Sequence, residues 1–279
     1  MKKQFPIRAG LWLLICFVTA ATLSGLPAVA QAFPIPGTGA CEPLLAELAE
    51  AFNRTNPAVA VTVPPSTGSG GGIDAVLKDA APLARVARTL KDGEIKQELV
   101  RQVFARDTVA FVAGREVKIT SLSPDQLVAI FSGKIRNWRE FGKQEATIRV
   151  ITREPGDSSL IVIQEHLAGF RDIVFTPQAK VIMYDKAAVE ALDKFKNAIG
   201  FATLSSLKWS KGGLRPLSLD GVAPTRENIL AGTYRLVEDY AFVFKKNLTP
   251  AAKKFVDFVF SPEGRRVIEL NGLIASDGK

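Results

Sequence analysis

The stretch "LSPDQLVAIFSGKIRNWREFG", Leu122 to Gly142, carries a helix with its start and stop written into it. Ser123 stands where a hydroxyl accepts from the free N–H groups of a helix start, and Pro124 follows at the first helical position, where a missing N–H is no loss. Leu127, Ile130 and Phe131 return at helical spacing to form one apolar face, Gly133 ends the helix, and Trp138 packs the loop beyond it. None of these side chains is chemically active. The stretch therefore speaks to architecture, and any chemistry lies elsewhere in the chain.

Outward from it, short β-rich runs alternate with helical ones. "VAVTVPP" follows a helical pattern at Pro43–Asn53, and further β-rich runs are "TVAFVAG" near 110, "TIRVITR" at 147–153, "NAIGFATL" at 197–204 and "YAFVFKK" at 240–246. Helical spacing recurs at Pro124–Ser132, Leu160–Ala168, Lys186–Lys194 and Pro250–Val259. This alternation predicts an α/β architecture. "DTVAFVAG" from Asp107 and "DYAFVFKK" from Asp239 resemble one another. They read either as two ordinary core strands or as paired connectors that carry the chain to a second lobe and back.

Residues 1–30 read as a secretory signal peptide: Lys2, Lys3 and Arg8, then the apolar run "LWLLICFVTAATL", then "AVA" at Ala28–Ala30 as a cleavage site. The run is too short for a comfortable membrane span. Cys16 lies inside it, without the small preceding residue of a lipidated cysteine. Cleavage after Ala30 would leave 249 of the 279 residues, with Cys41 as the only thiol and no internal disulfide. With 36 basic and 28 acidic residues in the whole chain and three of the basic ones in the first thirty, the remaining charge is +5. That balance suits an anionic ligand, while the scattered charges and few aromatics argue against nucleic acid.

Three glycine- or serine-rich turns precede helical patterns. The first is "PGTGACEP", where Gly37, Thr38 and Gly39 lead to Pro43 and a face of Leu44, Leu45, Leu48, Ala49 and Phe52. The second, "STGSGGGIDAVLKDA" at Ser66–Ala80, supplies hydroxyls from Ser66, Thr67 and Ser69, and bare backbone from Gly68, Gly70, Gly71 and Gly72. The third is "TREPGDSSLIVIQEHL", where a β-run ends at Arg153 and Gly156, Asp157, Ser158 and Ser159 open the next helix. Free N–H groups at a helix start favour negative charge. Each turn alone reads first as an ordinary cap. Three of them, one beside an arginine that grips oxyanions in bidentate fashion, form an anion seat if they converge on one cleft.

Leu122–Gly142 closely resembles a stretch of the periplasmic phosphate-binding proteins, the substrate-binding subunits of phosphate ABC transporters. "NAIGFATLSSL", "TRENILAGTYRLVEDYAFVFKK" and "FVDFVFSPEGRRVIELNGLIAS" resemble the family's later segments in the same order, so the resemblance covers nearly all of the chain after Ala30. It implies a type II periplasmic binding protein fold: two α/β lobes with a ligand cleft, residues 31–111 with 240–279 and residues 112–239, joined by hinge strands at the 107 and 239 runs. It implies capture of an inorganic oxyanion, phosphate first, by a periplasmic monomer that serves a separate ABC transporter permease, with no cofactor or metal and no enzymatic activity.

The resemblance also implies a ligand set, residue by residue. Thr38, or Cys41 in the threonine's place, matches the first loop, Ser69 the second, and Arg88 of "VARTL" the family's serine-arginine segment. Arg153 and Gly156 match the third loop, in which Asp157, Ser158 and Ser159 replace serine, glycine and threonine. Asp157 reads either as a plain helix cap or as an acceptor from a protonated oxyanion. "PLARVAR" stands where many members carry aspartate and glycine, and its Arg85 faces either the cleft or water. Two readings from other classes remain. One is a hydrolase built on Cys41 and His166, the only histidine; the other is a transport-independent binding module or sensor with an altered ligand.

Overall fold

The computed structural model describes residues 31–142, 145–183 and 185–278. Residues 1–30, which the sequence reads as a signal peptide, lie outside them. The helix expected within Leu122–Gly142 spans Pro124–Phe131, with Ser123 accepting from the Gln126 N–H and Gln126 accepting from that of Ser123, and it buries Leu127, Ile130 and Phe131. Trp138 is fully buried, and its Nε1–H donates to the Asn197 carbonyl at 2.9 Å. The other expected helices occur at Glu42–Thr55, Ser158–His166, Asp185–Lys194 and Pro250–Phe260.

The main sheet has eight strands. Six form a path in the order Ala84–Val86, Val237–Lys245, Leu99–Ala113, Ala198–Thr203, Arg149–Arg153 and Lys180–Ile182; Arg215–Pro216 and Ile274–Ala275 also pair with Leu99–Ala113. Gln31–Pro34 and Val59–Thr62 form a small parallel pair beside it. The runs at 107 and 239 are neighbours. Strand Leu99–Ala113 starts eight residues before Asp107 and pairs antiparallel with Val237–Lys245, Glu238 opposite Asp107, with a register shift at Tyr240/Ala241.

These two strands pass between separate cores. One cluster gathers Leu44, Leu48, Phe52, Phe104, Phe242 and Phe255, and a smaller one packs Ile73 and Val76 on Ala84, Val86 and Ala241. The other side is built by Phe111, Phe131, Trp138, Phe170 and Phe201, with Ile151, Val189 and Leu192 behind them. Strand Leu99–Ala113 lends Phe104 to the first core and Phe111 to the second. Burying apolar surface on both sides of a two-strand waist gives two α/β lobes that meet at a cleft.

Candidate functional site

The first two turns are packed into one unit, and Arg85 ties them. Gly37 has φ 142° and lies so close to the strand Ala84–Val86 that an added Cβ would sit 1.9 Å from the Arg85 carbonyl oxygen. The Thr38 N–H donates to that same oxygen at 3.1 Å. The Arg85 guanidinium, fully buried, donates to the carbonyls of Thr38 at 2.7 Å, Pro64 at 2.8 Å and Ile35, and to Glu42 Oε2 at 3.1 Å. Arg85 thus faces neither cleft nor water. It satisfies three loop carbonyls that would otherwise be buried unpaired.

The second turn closes on the first. The Thr67 N–H and the Ser66 hydroxyl both donate to the Gly37 carbonyl, at 3.0 and 3.3 Å, and Gly72 packs directly on Gly37. Helix Gly68–Leu77 starts here with no side-chain cap. Half-buried Ser69 accepts from the Ala87 N–H at 3.3 Å, which places it beside Arg88. Arg88 itself is committed: its two terminal nitrogens each donate to Glu94, at 2.8 Å, so the charge expected for a ligand is already balanced. Arg88 lines a cavity of about 370 Å³ between the lobes, together with Arg101, Arg106, Ile161, Glu165 and Arg235.

In the third turn, Arg153 ends its strand and is nearly buried. It is gripped by two carboxylates at 2.7 Å, Asp157 and Asp185. Asp157 caps helix Ser158–His166 by accepting from the Leu160 N–H at 3.0 Å, so it is both the plain cap and an ion-pair partner. Burial alone would lower the Arg153 pKa, but the charges of Asp185 and Asp157 outweigh it and hold it above its ordinary value. Burial pushes Asp157 up to about 6, with Asp185 adding to the rise and Arg153 opposing it. One guanidinium is shared by two acids, and neither is fully compensated.

Sequence reasoning missed the residue at the centre. Glu238, fully buried on strand Val237–Lys245, accepts from the Ser159 hydroxyl at 2.9 Å. Its charge bears on Arg153 of the third turn and on Cys41 of the first, so it marks where the two approach. Burial raises its carboxyl well above the usual carboxylate range, and Asp185 and Asp157 raise it further. The signal was present in "RLVEDYAF": in strand alternation Glu238, Tyr240 and Phe242 share the inward face.

The remaining expected residues divide clearly. Thr38 is buried, and its hydroxyl accepts from the Ala40 N–H at 3.3 Å. Cys41 belongs to the first core, fully buried, and burial pushes its thiol up to about 12. This corrects the expectation that Cys41 stands in for the ligand threonine, because an apolar cluster encloses its sulfur. A hydrolase built on Cys41 would need that thiol as a thiolate, which its burial disfavours; His166 is exposed at the far end of its helix, with Nδ1 against the Val162 carbonyl. Gly156, exposed with φ 90°, and half-buried Ser158 remain at the mouth of the third turn.

Two α/β lobes on a pair of crossing strands, with glycine- and serine-rich helix starts gathered where they meet, define a type II periplasmic binding protein. The chain belongs to the PBP superfamily, whose domain matches residues 25–263. Among curated relatives it is 28% identical over 247 residues to the phosphate-binding protein PstS of Borreliella burgdorferi strain B31, covering 86% of this chain and 88% of that one. It is 27% identical over 238 residues to PstS of Bacillus subtilis strain 168, covering 84% and 77%. A solved structure from Clostridium perfringens, described as a phosphate ABC transporter substrate-binding protein with bound phosphate, superposes with a TM-score of 0.79 at 28% identity, covering 88% of this chain and all of that one.

Proposed function

We propose that this protein is an extracytoplasmic solute-binding protein that captures an inorganic oxyanion, phosphate first, between its two lobes and delivers it to an ABC transporter permease. The lobes are residues 31–111 with 240–279 and residues 112–239. What supports this reading is the placement of the three helix starts about the crossing strands. The first two are locked together through Gly37 and Arg85, and the third is tied by Ser159 to Glu238 on a crossing strand. The names of the PstS relatives and the bound phosphate in the Clostridium perfringens structure support phosphate as the ligand.

Backbone N–H groups with the hydroxyls of Ser69 and Ser158 would surround the ligand, and a ligand touching both lobes favours the closed state because only there are all contacts made. The ion-paired arginines favour a second reading, a transport-independent binding module or sensor with an altered ligand. Thermal unfolding with phosphate, sulfate, molybdate, tungstate or small carboxylates separates the two. Phosphate at about a thousand times its dissociation constant should add about 4 kcal/mol of stability. A shift with another ligand alone would support the second reading, and no shift with any oxyanion would refute the first.

A further inference from the structure

Three cations crowd one aromatic ring at the end of the second lobe away from the third turn. The Arg149 guanidinium lies 4.9 Å from the centre of the half-buried Phe195 ring, and the Lys180 and Lys194 ammonium groups lie 5.6 and 5.7 Å from it. All three residues are exposed. Among the described residues none of them has an ion pair; the nearby pairs, Lys196 with Glu116 and Arg139 with Glu145, leave them out. A ring attracts cations within about 6 Å, but three so placed lie within about a Debye length of one another and repel. The helix end accounts for Lys194, whose charge suits the C-terminus of Asp185–Lys194, and for neither of the others. Like charges gathered without a counter-charge in the chain suit an anionic partner outside it.

The fold adds to the charge there. Arg149 opens strand Arg149–Arg153, Lys180 opens the parallel strand Lys180–Ile182, and Phe195 leads from the helix end toward strand Ala198–Thr203. The Gly114 and Glu116 N–H groups donate to the Ala198 and Lys196 carbonyls at 2.9 and 3.0 Å, so the exposed Arg115 and Lys118 join the same end. Glu116 and Asp193 do not answer this charge: Glu116 is paired with Lys196 at 3.0 Å, and Asp193 accepts from the Ser210 hydroxyl and the Lys211 N–H. The third turn begins at the other end of strand Arg149–Arg153, about 13 Å along it. The basic pole and the oxyanion cleft thus lie at opposite ends of one strand.

We propose that this pole is a docking surface for an anionic phospholipid bilayer, on which the protein rests with its cleft held clear of the membrane. No helix among the described residues is long and apolar enough to cross a membrane, so the contact is peripheral. Dispersed, exposed cations suit a continuous sheet of phosphates, which imposes no fixed spacing, better than a nucleic acid or a protein surface, which must match one. Phe195, half-buried beneath its cations, gathers the charges and does not insert.

The test is co-sedimentation of the purified protein with vesicles of phosphatidylcholine, alone or with one-third phosphatidylglycerol. It compares wild type, a triple variant (Arg149→Gln, Lys180→Gln, Lys194→Gln) and a charge-matched control on the first lobe (Lys96→Gln, Lys254→Gln, Arg266→Gln), whose residues are also exposed. Wild type should bind the anionic vesicles at about 0.1 M salt, leave them at about 1 M, where the Debye length falls to about 3 Å, and ignore the neutral ones. A cation close to an anionic leaflet is worth about fivefold in partition, so the triple variant should need about a hundredfold more lipid for half-binding, and the control less than about fivefold more. Its phosphate affinity by calorimetry should stay within about twofold of wild type. No wild-type binding to anionic vesicles, equal binding to neutral ones, or an equal loss in the control would overturn the proposal. So would a loss of phosphate affinity in the triple variant, which would put the pole in the cleft. Retention on heparin, lost in the triple variant, without vesicle binding would assign the pole to a soluble polyanion and overturn it too. Vesicle binding is read without phosphate, so its failure and that of oxyanion capture show separately.

Discussion

Replacing Arg153 by methionine tests the electrostatics of the third turn. Met fills most of the arginine stem's volume but leaves Asp157 and Asp185, whose side chains are only 9% and 12% exposed, without the cation that each meets at 2.7 Å. Removing one partner of a buried ion pair costs about 3–5 kcal/mol, because the remaining charge is stranded. Here two charges are stranded, but both are acids and can escape by taking up protons. Asp157 already stands at about 6 with Arg153 present, and without it the value rises further. The loss should therefore be close to the full 3–5 kcal/mol at pH 8 and shrink to about half or less at pH 5. Urea unfolding of both proteins at the two pH values measures this. An equal loss at both, or a loss below about 1 kcal/mol at pH 8, would refute an uncompensated acid pair around Arg153.

Two further substitutions probe the same frame. Asp157→Asn keeps a good cap but removes the ionisation. The wild-type pKa is raised from 3.8 to about 6, so folding favours the neutral acid, and wild-type stability is lost as pH climbs through that window. The variant has no proton to lose there and should gain about 3 kcal/mol on wild type between pH 4 and 7.5; a pH-independent difference in chemical denaturation would contradict it. Gly72→Ala would place a methyl 2.7 Å from Gly37 Cα and 2.8 Å from the Pro36 carbonyl oxygen, forcing the first two turns apart. It should cost about 1–3 kcal/mol by thermal unfolding and weaken phosphate binding, whereas Gly70→Ala, which meets nothing within 4 Å, should not lower stability.

Features written in local spacing were legible in the sequence. The cap at Ser123 and the apolar face of Leu127, Ile130 and Phe131 needed only neighbours three and four residues away, and the structure has both. The similar runs from Asp107 and Asp239 do lie on neighbouring crossing strands, although the Asp239 run pairs with Leu99–Arg106, just ahead of the Asp107 run, and the two meet only at their starts. What the sequence hid are partnerships across distance. Arg153 and Asp185 are 32 residues apart, and Arg85 reaches back 50 residues to the Ile35 carbonyl, so no window holds both partners. Arg88 pairs with Glu94 only six residues on, yet the exposed-looking "KDGE" gives no hint that its glutamate turns back. Glu238 hid among apolar neighbours, where strand alternation alone could have flagged an acid on the inward face.

The account stands on one site for one small oxyanion, held where the three turns meet. Equilibrium dialysis of radiolabelled phosphate against the purified protein, with Ser69→Ala and Ser158→Ala alongside, measures that directly. Saturation at one phosphate per chain, weakened in both variants, is the predicted result. No saturable uptake, or uptake unchanged when both hydroxyls are gone, would contradict it.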